Sequence, residues 1–141
     1  MTVRHYVRWL QFAAVLTIAT GLVAALASHP ATAEPWRWLF DVLTWPVDGS
    51  PAGFDRLSYQ VNAVLGGVMV GWGCTILLFT LDRQADPHAI ARPILGGLVA
   101  WFVIDSSGSL VAEIPGNVVL NLGFLVLFVV PLVGILRSPS G

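Results

Sequence analysis

The chain alternates between long apolar stretches and short polar connectors, and four of the stretches are long enough to be helices that cross a bilayer. A helix rises about 1.5 Å per residue, so about 20 apolar residues cover the roughly 30 Å hydrocarbon layer. On that measure the pattern predicts spans at about 7–28, 59–81, 89–110 and 117–136. The last is the most apolar: Val118 to Leu136 contains fifteen Val, Leu, Ile or Phe residues. One asparagine in that run does not offset them on the insertion scale. The fold class that follows is all-α, a transmembrane four-helix bundle, with residues 1–141 forming a single transmembrane domain.

The first span has features of a secretory signal, because Arg4 and Arg8 precede it and Ala31-Thr32-Ala33 follows it. Signal h-regions run about 7 to 15 residues. The apolar core from Trp9 to Ala27 is longer, so an uncleaved anchor is expected.

Between the first two spans, residues at about 35–46 predict a short helix that lies on the membrane surface. At 100° per residue, Arg37, Asp41 and Thr44 fall on one strip and apolar side chains fill the rest, with Pro35 at the start and Pro46 at the stop. Trp36, Trp38 and Trp45 are the expected interfacial anchors, since indole rings prefer the headgroup level. The same helix could instead dock a partner membrane protein.

Arginine placement predicts orientation. Arg4, Arg8, Arg83, Arg92 and Arg137 fall on one side, and Arg37 and Arg56 on the other. Short loops rich in arginine stay cytoplasmic, so both termini are expected there, in a bacterial inner membrane.

Two glycine patterns predict helix packing. Gly67 and Gly71 in span two, and Gly96 and Ala100 in span three, are each four residues apart. Small residues so spaced let helix backbones approach closely in lipid, where burial of apolar surface gives no help. The expectation is a tight contact between spans two and three, with self-association through one of these faces as the alternative.

Polar residues gather toward the non-cytoplasmic ends of spans two to four, and Asn62, Asp105, Ser109, Asn117 and Asn121 make up a candidate polar pocket. Such groups in a membrane usually face the bundle interior or a water-filled cavity. Gly97, Trp101, Asp105 and Ser109 recur every four residues, as do Asn117 and Asn121, and the Glu113-Ile114-Pro115-Gly116 turn makes the two helices antiparallel neighbours. Asp105 should therefore reach both asparagines. Three roles are open to the cluster: a structural hydrogen-bonded contact, a pocket for a proton, cation or small solute, and a contact with a partner helix.

Composition narrows the function classes. The chain has 141 residues, of which 56% are hydrophobic and 11% charged, with a net charge of -1 and no lysine. No basic patch is available for nucleic acid. Cys74 is the single cysteine, which excludes an internal disulfide, and it reads as a small apolar residue. The three histidines lie in flanks or loops, away from any haem position at membrane depth. No catalytic set, metal spacing or phosphate loop occurs, so the expectation is a protein that is not an enzyme and holds no cofactor or metal.

The run Val64-Leu65-Gly66-Gly67-Val68-Met69-Val70-Gly71-Trp72-Gly73, followed by Trp101 through Asp105-Ser106 and Asn117 to Asn121, resembles small four-helix proteins of bacterial inner membranes in the DoxX-like group. The resemblance implies a four-helix membrane protein with an accessory role in a redox or other membrane complex. It carries over no catalytic residue, and the lone Cys74 supplies no dithiol. The leading expectation is thus a non-enzymatic accessory or interaction subunit, surrounded by lipid and in contact with another membrane protein or a second copy. The alternative is a small solute, cation or proton carrier using the pocket around Asp105.

Overall fold

The computed structural model describes residues 1–82 and 84–139. Arg83, one of the arginines used for orientation, lies outside them. The described residues form five α-helices and no strand: α1 (Val3–Leu26), α2 (Glu34–Leu43), α3 (Arg56–Leu81), α4 (Pro87–Val111) and α5 (Pro115–Arg137), with a 3-10 turn at Pro30–Thr32. Four of these are long and apolar enough to cross a membrane, and α2 is the short helix between the first two.

Local chemistry sets the helix ends. Asp55 caps α3 by accepting from the Ser58 backbone N–H at 2.7 Å and the Ser58 hydroxyl at 2.6 Å. Asp86 caps α4 through the His88 N–H, with Pro87 at the first helical position. At the other end of α4, the Ile114 N–H bonds to the Ser109 carbonyl and the Glu113 N–H to that of Leu110, which is a Schellman stop. The residue in the left-handed position there is Glu113, at φ 60°.

The helices form two pairs. α1 packs along α3, α5 packs along α4, and α1 also touches α5. The α1 and α3 backbones meet where a Cβ on Gly66 would collide with the Ala25 backbone nitrogen, and one on Gly73 would come within 2.9 Å of the Ala14 carbonyl. Small residues make that approach possible, but they are not the pair the spacing indicates. Gly67, Gly71, Gly96 and Ala100 are all exposed, and an added Cβ on any of these three glycines meets nothing within 4 Å. The expected tight contact between spans two and three is therefore replaced by one between spans one and two, and α3 and α4 barely meet. The physical reason is geometric: Gly66 and Gly73 share the α3 face turned to α1, whereas Gly67 is rotated off it by about 100°.

The interior has two packed regions. Leu10, Ala13, Ile76, Leu98, Phe128 and Leu132 belong to the larger, nearer the termini. Ala24, Ala27, Ala33 and Trp36 form the smaller one beneath α2, joined by Leu39, Phe40, Phe54 and Tyr59. Between these lies a layer of indoles, with Trp72 stacked on Phe128 at 5.6 Å and 5.9 Å from Trp101.

α2 sits on the bundle and is pinned at both ends. At its start, Trp36 is only 6% exposed and its indole N–H donates to Asn62 Oδ1 at 3.2 Å. At its end, Leu43 lies against Gly116 so closely that a Cβ there would overlap the Leu43 carbonyl. Of the three expected anchors, Trp38 and Trp45 are exposed and Trp36 is buried inside the protein. The polar strip also folds inward in part: Arg37 donates to the carbonyls of Ala52 and Pro51, and Asp41 is buried.

Candidate functional site

Between the indole layer and α2 lies a chamber of about 790 Å³. α1 contributes Thr17 and Thr20 to its wall, and α3 contributes Leu65, Val68 and Met69. α2 covers it with Trp36, Leu39, Phe40 and Leu43, the apolar stripe of that amphipathic helix. Trp72 and Trp101 border it on the side of the termini. The α1 hydroxyls are occupied by their own helix, Thr17 donating to Ala13 and Thr20 to Leu16.

The remaining wall comes from α4 and α5 and carries a polar cluster among apolar side chains. Asp105 Oδ1 accepts from Asn117 Nδ2 at 3.0 Å, Asn121 Nδ2 at 3.1 Å and the Ser109 hydroxyl at 3.2 Å. Its Oδ2 accepts from the Trp101 indole at 3.2 Å. Asn117 also donates to the Ser109 oxygen, and Asn121 to that of Ser106. Helical spacing produces this set: Trp101, Asp105 and Ser109 stand one above another on α4, and Asn117 and Asn121 do so on α5. The Schellman turn then folds α5 back alongside.

Asp105 lies within α4, six residues before its last residue, so it neither ends nor caps that helix. All four groups bonded to it are neutral, and among the described residues no Arg or His lines the chamber. A carboxyl group held among four donors keeps its orientation. Asp105 is the one charged side chain on that wall among the described residues.

Four of the five residues expected in the pocket thus come together, and the fifth does not. Asn62 is buried under α2, where it accepts from Trp36 and its own amide faces the Ala27 carbonyl at 3.4 Å. It joins the α1–α2 connection to α3 and is absent from the chamber lining. Sequence position put it at the correct depth but could not show which way α3 turns it. Trp72, Thr17 and Thr20 went unrecognised as lining residues, because each reads as an ordinary position of an apolar helix.

Two other features are separate from this chamber. A smaller pocket of about 300 Å³ beside α2 includes Asp41, Thr44, Asp48 and Ser50, and Asp41 Oδ2 has no hydrogen-bond partner among the described residues. Cys74 is a half-buried free thiol. Among the described residues no three His, Cys, Asp or Glu side chains converge on a metal position.

Outside the membrane spans, two carboxylates are displaced from their ordinary acidity. The Ser58 hydroxyl and backbone N–H stabilise ionised Asp55 and lower its pKa, and the His88 N–H does the same for Asp86. Both are helix caps rather than reactive groups.

Among curated proteins, the chain is similar to the fluoride-specific ion channel FluC 2 of Thermobifida fusca (strain YX), with 31% identity over 107 residues. The aligned stretch is 71% of this chain and 60% of that channel, so the likeness spans less than two thirds of the relative. No protein-family model matches the chain, and no solved structure matches it. The four apolar helices and the likeness to a channel agree: this is a multi-pass membrane protein. That relative is a membrane channel, not an enzyme, and gives the DoxX-like resemblance no support.

Proposed function

We propose that the protein is a small membrane carrier or channel whose solute, cation or proton binds in the chamber beside Asp105. The observation that carries this reading is the placement of one carboxylate, oriented by Ser109, Asn117 and Asn121, on the wall of an otherwise apolar space of about 790 Å³. Ionisable groups at membrane depth are costly, and they mark solute or ion paths when they face a cavity. A purely structural contact would need the hydrogen bonds but not the space. The similarity to a fluoride-specific channel supports a transport role and brings fluoride into the assay as the anion for comparison.

The test is flux from liposomes containing the purified chain, followed for fluoride, sodium and protons against empty liposomes. Flux of at least one that disappears in Asp105→Asn, with the variant still folded, is the expected result. No flux of any of the three rejects the carrier reading, and equal flux in the variant rejects the transport role given to Asp105.

The exposed faces favour a second reading, an accessory subunit in contact with another membrane protein or a second copy. Gly67, Gly71, Gly96 and Ala100 lie open to the surroundings, and small residues at this spacing suit close helix contact in lipid. Gentle detergent extraction followed by mass spectrometry tests it: an accessory subunit co-purifies with a larger complex, and a self-sufficient carrier does not. Under either reading the arginine distribution supports a bacterial inner-membrane protein with both termini cytoplasmic. The exposed Trp38 and Trp45 support an interfacial position for α2.

A further inference from the structure

We infer that the chamber takes a lipophilic monovalent organic cation, with its charge at Asp105 and its apolar body against the indole walls. This deepens the carrier reading and rests on the same chamber.

Three observations define the class. The first is size, because about 790 Å³ falls within the roughly 300–1,000 Å³ typical of pockets for drug-sized ligands. A bare ion needs far less. The second is the wall: Trp36, Trp72, Trp101, Phe40 and Phe124 line the space, and aromatic faces attract cations within about 6 Å of the ring centre while also packing against hydrocarbon.

The third is charge. Asp105 is the one ionisable side chain lining the chamber among the described residues, and every group bonded to it is a neutral donor. An anion would meet the carboxylate with no cation to offset it, and a neutral apolar molecule would leave its charge uncompensated. A single positive charge on an apolar frame satisfies both the carboxylate and the walls. Access from the surrounding lipid is consistent with the same geometry. α3 and α4 barely touch, and a Cβ on Gly67, Gly71, Gly96 or Gly97 would meet nothing within 4 Å.

The experiment uses the full chain in detergent and radiolabelled tetraphenylphosphonium as the probe. Saturable binding is expected, with neutral triphenylphosphine oxide failing to displace it at equal concentration. Asp105→Asn should weaken it by more than about tenfold, as expected when one partner of a desolvated charge pair is removed. Gly97→Phe gives an independent variant, since it fills the chamber from an open position and leaves the carboxylate in place. It should abolish binding without loss of folding.

Absence of saturable binding, full retention of binding in a folded Asp105→Asn, or equal displacement by the neutral compound overturns the inference. Should Asp105→Asn not fold, Gly97→Phe and the neutral competitor decide. Binding of the probe without any flux in liposomes keeps this assignment and removes the carrier reading. Flux of fluoride or sodium without probe binding does the reverse.

Discussion

Asn121 on α5 donates to Asp105 on α4 at 3.1 Å, a bond between two membrane-spanning helices sixteen residues apart in the chain. Hydrogen bonds between helices in a membrane contribute about 0.6 to 2 kcal/mol. A double-mutant cycle of Asp105→Ala and Asn121→Ala, read by reversible unfolding in bicelles, should give a coupling of about 0.6 to 1.7 kcal/mol. A coupling indistinguishable from zero would mean that this bond is not formed in the membrane.

Gly66 and Gly67 are neighbours with opposite surroundings. Gly66→Leu would drive a side chain into the α1 backbone, and overpacking of this kind costs about 1–3 kcal/mol or more. Gly67→Leu points into open space and should leave the thermal midpoint in detergent nearly unchanged. Equal destabilisation by the two would contradict the α1–α3 pairing.

Glu113 occupies the left-handed position that ends α4, at φ 60°. Left-handed geometry costs an L-residue roughly 1–2 kcal/mol that glycine avoids. Glu113→Gly should therefore stabilise the protein by up to about 1 kcal/mol, seen as a raised unfolding midpoint. A lowered midpoint would show that the glutamate side chain contributes more than its backbone costs.

Asp55 gives a pH-dependent helix start. The Ser58 bonds lower its pKa in the folded protein below 3.8, so the cap is fully effective above that value and is lost as pH falls through the depressed folded pKa. Hydrogen exchange at the Ser58 amide should accelerate in acid relative to neighbouring α3 amides, after correction for intrinsic rates. Asp55→Asn should remove that dependence while keeping most of the cap.

The four spans were legible because residues in lipid must be apolar over a fixed length, and no tertiary contact is needed to see it. The structure starts α1 at Val3 and ends α2 at Leu43, against expected bounds of about 7 and 46. The Asp105 cluster was legible for a related reason: four-residue spacing on two helices joined by a tight turn leaves little freedom in which faces meet. The partner of α3 was not legible. Gly66, Gly67, Gly71 and Gly73 supply small residues to several faces of one helix, and only the surrounding helices determine which face is used. Asn62 and Trp36 failed similarly, since burial of each depends on α2 lying down over the bundle.

Two helical hairpin-like pairs that meet firmly along α1 and α5, but hardly along α3 and α4, resemble a book held at its spine. Because few van der Waals contacts hold the fore-edge shut, the lateral pressure of the acyl chains acts almost directly on the width of the interior space. Bilayer thickness and tension should therefore alter the affinity of the proposed site.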